Sequence, residues 1–342
     1  MTKEKKPFNF KTFIVNNSIY IIFFALMVII TIADPNFLSW PAFRNILFQS
    51  STRLIMALGV MFVILSGSAD LSGGRILGFS AVLAGSLLQI PSYPTKMHSW
   101  LVITDKFIWI PLLICMTFGI IIGFANGFIV AVLRVPAFIG TLGIQLTVYG
   151  LNFLHYQSEP NNGQPIGTFL DSYKKLGTGS LFHPQLGIPY ILIIAIGLLI
   201  ICHIVMAYTR FGKNLYAMGG NIEAARVSGI NTVKTQIIVY AIAGMFYSIA
   251  GYLEAARNNA ANASTTGTGA EFDAIASCVV GGVSIAGGVG AVPGVLIGVL
   301  IFNLISFGMA FIGINPNWQY VVKGVLLVTT VGIDVQKYVR RR

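Results

Sequence analysis

The sequence predicts an all-α integral membrane protein with about ten transmembrane helices. Of its 342 residues, 55% are hydrophobic and only 10% are charged, whereas about a quarter of the residues of an ordinary soluble domain are charged. The apolar residues form runs close to the roughly 20 residues that a helix needs to cross a bilayer. The 22 basic residues are scattered over short loops and both ends and form no basic face. We therefore expect contact with membrane lipid and no nucleic-acid partner.

Ten apolar runs are candidate spans, and clusters of Gly and Ser interrupt two regions of this pattern. The predicted spans are 18–33, 52–67, 74–91, 107–133, 136–156, 186–208, 233–253, 272–288, 290–312 and 317–334. The interruptions lie at 66–75 and within 272–312. We expect some broken helices there, because irregular backbone at membrane depth is tolerated where it is buried in protein or lines a cavity. Both regions have the order span, break, span, which is compatible with an inverted repeat.

The distribution of Lys and Arg predicts the orientation of this single transmembrane domain, residues 1–342. If the N-terminus is inside, most of the 22 basic residues fall in cytoplasmic segments, as the positive-inside rule requires. We therefore expect both termini, 1–17 and 335–342, to be cytoplasmic, together with the polar segment 209–232. The segment 157–185 is expected to be an outer loop.

The segment 209–232 is polar and rich in Gly, although it lies between two apolar runs. Asn221 is suited to cap a helix, Glu223 follows in the first turn, where the helix dipole favours an anion, and Gly229 fits a left-handed C-cap. Such a helix would have about two turns and would be marginal in water by itself. It therefore needs a surface to rest on, either its own spans or another protein.

The sequence resembles the permease subunits of bacterial ATP-binding-cassette importers of monosaccharides, the branch that includes ribose, xylose and galactose systems. The resemblance covers nearly the whole chain. It is carried by FQSSTRLIMALGV, SADLSGGR, TRFGKNLYAMGGNIEAARVSGIN, DAIASCVVGGVSIAGGVGAVPGV and NPNWQYVVKG. The sequences YGLN, GYLEAAR and DVQKYVRRR are most similar to the galactose/methyl-galactoside branch.

The resemblance implies a transport subunit of the bacterial inner membrane that is not itself an enzyme. Its sugar would be galactose or a methyl-galactoside, with ribose, xylose or another monosaccharide as the alternative. Its partners would be a second copy of the permease, a separate ATP-binding subunit, and a periplasmic or lipid-anchored sugar-binding protein.

The resemblance also implies that the short helix in 209–232 is a coupling helix that docks into a groove of the ATP-binding subunit. The helix falls on Asn221 to Gly229, and the residues just before it would position it. The implied coupling residues are Arg210, Phe211, Gly212, Lys213, Asn221, Glu223, Ala224, Ala225, Arg226 and Gly229.

The chain has no recognisable ATP-binding motif of its own. A P-loop needs two glycines separated by four residues, then Lys and then Ser or Thr. The only Gly-Lys pair, Gly212-Lys213, is followed by Asn214 and has Ala207 at the position of the first glycine. We therefore expect no cofactor or metal in this chain, and ATP and magnesium to be used by the partner subunit.

Asp70 lies in the break SGSADLSGGR, residues 66–75, where a carboxylate at membrane depth costs a few kcal/mol on insertion scales. Two interpretations stay open, and they are compatible. Asp70 could line the sugar path or a gate, paired with Arg75. It could equally cap the helix that begins at Leu71 or Ser72.

Few other polar residues lie inside the predicted spans. A sugar in transit would need hydrogen-bond partners there, although hydrogen bonding between helices is the commoner use of a membrane Asn or Gln. The candidate pathway or gate residues are Asp70, Ser72, Arg75, Asn126, Gln145 and Asn152.

Charged residues also lie at span ends on the predicted outer side. Glu254 and Arg257 end one span, and Glu271 and Asp273 begin the next. This cluster suits either the docking of a binding protein or a solvated span end. Lys323 lies inside the last span, within reach of an interface by snorkelling. In the outer loop, a short helix is expected around 169–176.

Glycines recur at helical spacing in two predicted spans. Gly119, Gly123 and Gly127 share one helix face, and the run from Gly290 to Gly298 has a similar pattern. Small residues on one face let helix backbones approach closely. We therefore interpret both runs as helix-packing positions and not as phosphate-binding loops.

Two other classes of membrane protein fit the sequence less well. An ion-coupled secondary transporter usually needs carboxylates or histidines inside its spans, and Asp70 is the one candidate that the predicted inner half offers. A membrane enzyme needs a catalytic constellation, but the sequence has no HExxH and no GxSxG motif. Neither class explains the segment 209–232.

Overall fold

The computed structural model describes residues 18–183 and 186–339. Over these residues the chain is mostly helical. The helices are α1 (Ser18–Ala33), α2 (Trp40–Leu65), α3 (Gly73–Leu87), α4 (Trp109–Ala131), α5 (Ala137–Gln157), α6 (Asp171–Thr178), α7 (Tyr190–Tyr208), α8 (Arg210–Gly220), α9 (Ile222–Val227), α10 (Thr232–Asn258), α11 (Ala270–Val280), α12 (Val292–Phe311) and α13 (Pro316–Val339). Short 3₁₀ turns lie at Pro35–Leu38 and Asp105–Phe107. The predicted N-terminal segment 1–17 lies outside the described residues.

Four two-residue strands form two small antiparallel pairs. Strand β1 (Ile166–Gly167) pairs with β4 (Ala260–Ala261), with Ile166 opposite Ala261. Strand β2 (Ser180–Leu181) pairs with β3 (Ile188–Pro189), with Ser180 opposite Pro189. Both pairs lie in connections between long helices.

In the described part of the chain, 7 helices are long and apolar enough to cross a membrane. These are α2, α4 with the turn before it, α5, α7, α10, α12 and α13. Helices α1, α3 and α11 are shorter, with 16, 15 and 11 residues. The all-α class is therefore confirmed, whereas the count of ten spans and the inverted repeat stay predictions.

Helix α2 begins at Trp40, well before the predicted start of its span at 52. Ser39 caps it, because its Oγ accepts a hydrogen bond from the backbone N–H of Ala42 at 3.4 Å, and a proline occupies its first turn, a position where the missing N–H is harmless. Polar residues in its first half do not end the helix. Ser51, for example, donates a hydrogen bond from its Oγ to the Leu47 carbonyl of the preceding turn at 2.6 Å.

Both predicted interruptions are present as irregular segments, which we call break 66–72 and the 281–291 loop. The predicted span 272–288 is wrong in its second half, because α11 ends at Val280. Gly282, Gly287 and Gly288 follow with φ of +88°, +88° and +69°. These left-handed conformations are accessible to Gly and strained for other residues, so the local sequence itself breaks the span.

Helices α2 and α10 are mostly buried at the centre of the bundle, and α10 packs against α2, α3 and α4. The glycine face of α4 makes this approach possible. A Cβ on Gly119 would collide with the Gly244 carbonyl, and one on Gly123 would collide with the Tyr240 carbonyl. The predicted role of these glycines in helix packing is confirmed.

The second glycine run fits the prediction in part. Gly294 lies against the carbonyl of Gly281, and Gly298 lies against the carbonyl of Ser277, so both bring α11 and α12 together. Gly290, in contrast, belongs to the 281–291 loop with φ +153° and is not on a helix face.

The short helix expected around 169–176 is α6, which starts at Asp171. It rests on the end of α10, because the Tyr173 hydroxyl donates to the Tyr252 carbonyl at 2.5 Å. Gly177 also lies directly against the backbone of Ala256. This segment is therefore a packed cover over one end of the bundle.

We expect Gly123→Leu to destabilise the bundle, because the new side chain meets the backbone of α10 and overpacking typically costs about 1–3 kcal/mol. The matched control is Gly197→Leu on α7, where a Cβ has open space. The measurement is the thermal unfolding midpoint of the detergent-solubilised variants. Equal midpoints for both variants would contradict the packing role.

Candidate coupling surface and transport pathway

Helix α7 is continuous from Tyr190 to Tyr208, so the segments before and after it lie at opposite ends of the bundle. We call the end that carries α8 and α9 the coupling side. The end that carries α6 and the strands is the far side. The sequence predicts that the coupling side is cytoplasmic, and this orientation stays a prediction.

Helix α9 is fixed at both ends by local hydrogen bonds. The Asn221 side-chain oxygen accepts from the backbone N–H groups of Glu223 and Ala224, both at 3.0 Å. At the other end Gly229 has φ +84°, and the N–H of Ile230 donates to the Ala225 carbonyl at 3.0 Å. This is the Schellman arrangement that closes helix C-termini. The short helix and both caps are as the sequence predicted.

The exposed face of α9 carries two apolar side chains and an ion pair. Ile222 and Val227 are 46% and 89% exposed, and Arg226 Nη1 lies 3.2 Å from Glu223 Oε2. Ala225 is buried and holds the helix to its own domain. Val227 is not among the predicted coupling residues, although its position two residues from Ala225 places it on the opposite side of a helix.

The residues before α9 divide into exposed and packed groups. Arg210 and Lys213 are exposed. Phe211 packs its ring against Phe62 of α2, with centroids 6.4 Å apart, and Gly212 lies against the backbone of Met206. Phe211 and Gly212 therefore attach α8 to the bundle and do not present a docking surface.

Helix α8 also contacts both irregular segments. The Tyr216 hydroxyl donates to the Gly290 carbonyl at 2.8 Å, and burial raises the pKa of Tyr216 above its ordinary value, which keeps the hydroxyl a donor. Gly219 lies against the Leu65 carbonyl and Gly288 N. Gly288 N–H in turn donates to that Leu65 carbonyl at 3.0 Å. The coupling segment is thus in direct contact with the end of α2 and with the 281–291 loop.

The 281–291 loop has a second attachment, to α13. Asp334 Oδ2 accepts from Ser284 Oγ at 2.8 Å and from the N–H of Ile285 at 3.0 Å. The loop therefore lies between α8 and α13. A displacement of either helix has to move it or break these bonds.

Ser66, Asp70 and Ser72 of break 66–72 are buried, and Asp70 and Ser72 are hydrogen-bonded to each other. Asp70 Oδ1 accepts from the N–H of Ser72 at 2.9 Å and from its Oγ at 2.6 Å. Asn126 Nδ2 on α4 donates to Ser72 Oγ at 2.8 Å. Asp70, Ser72 and Asn126 therefore form one network, and Asp70 organises the turn before α3. The N-cap of α3 is Ser72 and the helix begins at Gly73, so Asp70 is not the helix cap that the sequence predicted.

Neighbouring helices bond to four further groups of this break. The Thr141 hydroxyl of α5 accepts from Leu71 N–H at 3.1 Å. The Tyr240 hydroxyl of α10 donates to the Ala69 carbonyl at 2.9 Å. Also from α10, Gln236 Nε2 donates to the hydroxyls of Ser66 and Ser68.

The expected pairing of Asp70 with Arg75 is wrong. Arg75 Nη1 donates to Thr268 Oγ1 at 3.2 Å, and its guanidinium lies 4.4 Å from the centroid of the Tyr149 ring. Within the described residues Asp70 has no ion pair, because Arg75, one turn further on, points to another neighbour.

Gln145 and Asn152 lie apart from the Asp70 network. Both are on α5, and no hydrogen bond between described residues joins them to Asp70, Ser72 or Asn126. Asn152 is 1% exposed, and neither its oxygen nor its nitrogen has a described hydrogen-bond partner. The predicted pathway set therefore splits into a connected group of three residues and three separate ones.

The far side contains a cavity of about 520 Å³ between α2, α10, α11 and α13. Its volume falls in the range of roughly 300–1,000 Å³ that is usual for small-molecule sites. Five charged residues line it: Arg53, Glu254, Arg257, Asp273 and Lys323. In the part of the chain that the structure describes, no cluster of His, Cys, Asp or Glu is arranged to hold a metal.

Two ion pairs organise the wall of this cavity. Lys323 Nζ of α13 lies 2.6 Å from Asp273 Oδ2 of α11, and Arg257 pairs with Glu254. Thr52 Oγ1 also donates to Glu254 Oε2 at 2.6 Å. Lys323 therefore does more than snorkel to an interface, and these charges line a cavity, which neither of the two interpretations of the span ends anticipated.

The family model described as branched-chain amino acid transport system / permease component matches residues 42–331. The chain belongs to this permease family. It is therefore a multi-pass membrane protein and a component of a transport system.

Individual relatives align with the permease over nearly its whole length. It is 41% identical over 334 residues to the galactose/methyl galactoside import permease protein of Escherichia coli, covering 98% of each chain. The identity to the protein of the same name from Haemophilus influenzae is also 41%, over 95% of this chain and 96% of that one. The ribose import permease protein of Escherichia coli is 34% identical over 96% of each chain. No solved structure matches the chain.

We expect Asp70→Ala to destabilise the permease, because it leaves the buried N–H and hydroxyl of Ser72 without their acceptor, a loss of about 1–3 kcal/mol. Asp70→Asn keeps an oxygen at the same place and should unfold near the wild-type temperature. Thermal unfolding of both variants in detergent checks this. If Asp70→Ala were as stable as the wild type, the role of Asp70 in holding this turn would be wrong.

Proposed function

We propose that the chain is the transmembrane permease subunit of an ATP-driven importer that moves galactose or a methyl galactoside across the bacterial inner membrane. The single observation that carries the ATP-driven part is α9, a helix capped at both ends that presents Ile222, Val227 and the Glu223–Arg226 pair outward. The sugar rests on the names of the relatives that are 41% identical. Ribose, xylose or another monosaccharide is the alternative, since relatives with those names are 33–34% identical.

In this proposal the working complex contains two copies of the permease and two ATP-binding subunits, which use ATP and magnesium. A periplasmic or lipid-anchored binding protein delivers the sugar to the far side. The permease itself breaks no bond in the sugar, so it is not an enzyme. Both termini and the coupling side face the cytoplasm.

Movement of the ATP-binding subunits enters the permease through Asn221 to Gly229. It reaches the membrane interior through α8, because Tyr216 holds the 281–291 loop and Gly219 rests on the end of α2. Both irregular segments then rearrange together and alternate the access of the pathway between the two sides.

An ion-coupled transporter is the second candidate, because two buried carboxylates in the membrane region, Asp70 and Glu271, have no ion pair among the described residues. The half-buried carboxylates Glu254 and Asp273 are paired with cations, which makes them less available for ion coupling. Collapse of the proton gradient distinguishes the two candidates. Uptake that survives the collapse and stops with a hydrolysis-deficient ATP-binding subunit supports the importer.

We expect Glu223→Lys to abolish sugar uptake and to prevent co-purification of the ATP-binding subunit. The new cation faces Arg226 on the exposed surface of α9, whereas loss of a surface ion pair costs only about 0–1 kcal/mol of stability. Asp171→Lys is the matched control, because Asp171 forms an equivalent exposed pair with Lys174 on the far side.

Val227→Asp should have the same effect as Glu223→Lys, because it places a charge on the most exposed apolar side chain of α9. Co-purification with the ATP-binding subunit and uptake of labelled galactose are the two measurements. Normal values for both α9 variants would contradict docking through α9.

We expect Tyr216→Phe to separate assembly from transport. The variant removes only the hydrogen bond to the Gly290 carbonyl and leaves α9 intact, so the ATP-binding subunit should still co-purify while uptake per ATP hydrolysed falls. Tyr208→Phe, on an exposed ring at the same side, is the control. An unchanged ratio of uptake to hydrolysis would show that this bond transmits nothing.

A further inference from the structure

We propose that the far-side cavity is a binding site for the sugar ring within the permease, formed by Arg53, Glu254, Arg257, Asp273 and Lys323. The proposal rests on the proposed function, since it assigns a site on the route of that sugar. It adds which residues hold the solute and which class of solute they accept, a neutral ring that carries several hydroxyl groups.

The charges of the cavity favour a neutral polyol. The wall combines three cations with two carboxylates, and the side chains in its two ion pairs are only 19–22% exposed. A hydroxyl both donates and accepts hydrogen bonds, so each hydroxyl of a sugar can bond to either sign. A free cation would face Arg53, Arg257 and Lys323, and an anion would face both carboxylates.

Arg53 supplies hydrogen-bond donors that the protein leaves open. Its Nη1 is buried and has no hydrogen-bond partner among the described residues, and Arg257 Nε is in the same condition. A buried donor without a partner is destabilising unless water or a solute bonds to it. Both residues line the cavity, so a solute hydroxyl or a water molecule there can accept a hydrogen bond from these donors.

The rest of the wall is apolar and suits the carbon face of a sugar ring. Met56, Leu77 and Phe302 contribute to it from three different helices, and Phe272 and Tyr320 are aromatic neighbours with exposed rings. Small-molecule sites combine such apolar lining with a few polar groups that fix orientation. The cavity has this composition.

The same helices connect the cavity with the coupling side. Asp273 and Lys323 join α11 to α13 at the cavity. At their other ends, α11 runs into the 281–291 loop, and Asp334 of α13 holds that loop. Lys323 and Asp334 are 11 positions apart on one helix, roughly 16 Å. A movement of the 281–291 loop therefore shifts α11 and α13, which carry the Asp273–Lys323 pair, relative to each other.

The test uses cysteine labelling of the purified full-length permease, with no ATP present. Gly324→Cys places a thiol on the cavity wall, where a Cβ has open space. Gly332→Cys is the matched control, two turns further along α13, also with open space and not part of the cavity lining. The native cysteines Cys115, Cys202 and Cys278 are buried.

We expect galactose to slow maleimide labelling of Gly324→Cys and to leave Gly332→Cys unaffected, while galacturonate protects less. Adding Arg53→Gln should raise the galactose concentration that gives half-maximal protection about tenfold, equivalent to ~1.4 kcal/mol. Lys323→Gln provides a second variant that removes one charge if Arg53→Gln fails to fold.

Equal labelling of Gly324→Cys with and without galactose overturns the proposal, and so does stronger protection by galacturonate, which would indicate an anion site. Co-purification with the ATP-binding subunit is measured on the same preparations. Protection without co-purification supports the sugar site and contradicts the ATP-driven function. Co-purification without protection supports the ATP-driven function and contradicts the sugar site.

Discussion

The constraint on which this structure depends is the need to pair every polar backbone group in a region without water. Two segments inside the bundle are not helical, and a bilayer offers no partner for their free N–H and C=O groups. Break 66–72 obtains backbone partners from side chains of α5 and α10, Thr141 and Tyr240, and Asn126 of α4 bonds to its Ser72 hydroxyl. For α10 to reach this break it has to lie close to its neighbours. The glycine face of α4 permits that approach.

The 281–291 loop satisfies its polar groups differently, and the difference matters for function. Most of its partners lie outside the two central helices. Tyr216 of α8 and Asp334 of α13 bond to it, and its Gly288 N–H bonds to the end of α2. The loop is therefore stable only while these elements keep their relative positions. In the proposed mechanism the loop follows movement of α8 directly, whereas break 66–72, which the central helices hold, follows it through Leu65 at the end of α2.

The sequence predicts those features that depend on neighbouring residues. The caps of α9 at Asn221 and Gly229 follow from local hydrogen bonding and from the conformational freedom of glycine, and both are present. The glycine face of α4 follows from helical spacing. A short helix was expected around 169–176, and it is present from Asp171 as α6. The start of α2 was misplaced because Arg44, Asn45 and Gln49 interrupt the apolar run, although the helix continues through them.

Contacts between distant residues could not be predicted from one sequence. Asp273 and Lys323 belong to different helices, and only the packing of α11 against α13 brings their charges together. Arg75 was assigned to Asp70 because the two are close in the chain, but its side chain meets Thr268 and Tyr149. Closeness in sequence is a weak guide once a helix begins between two residues.

The ion pairs of the far-side cavity contribute little to the stability of the fold, which points to a role other than stability. Replacing a buried ion pair by apolar residues of similar size is often neutral or stabilising, so the pairs at Asp273 and Glu254 are not explained by the fold. A polar solute, however, cannot pass an apolar barrier without losing its hydrogen bonds to water. Side chains that are already paired with each other can exchange those partners for hydroxyl groups without leaving a charge isolated. The same ion pairs that add little to the stability of the bundle thus meet the main physical requirement for moving a sugar through it.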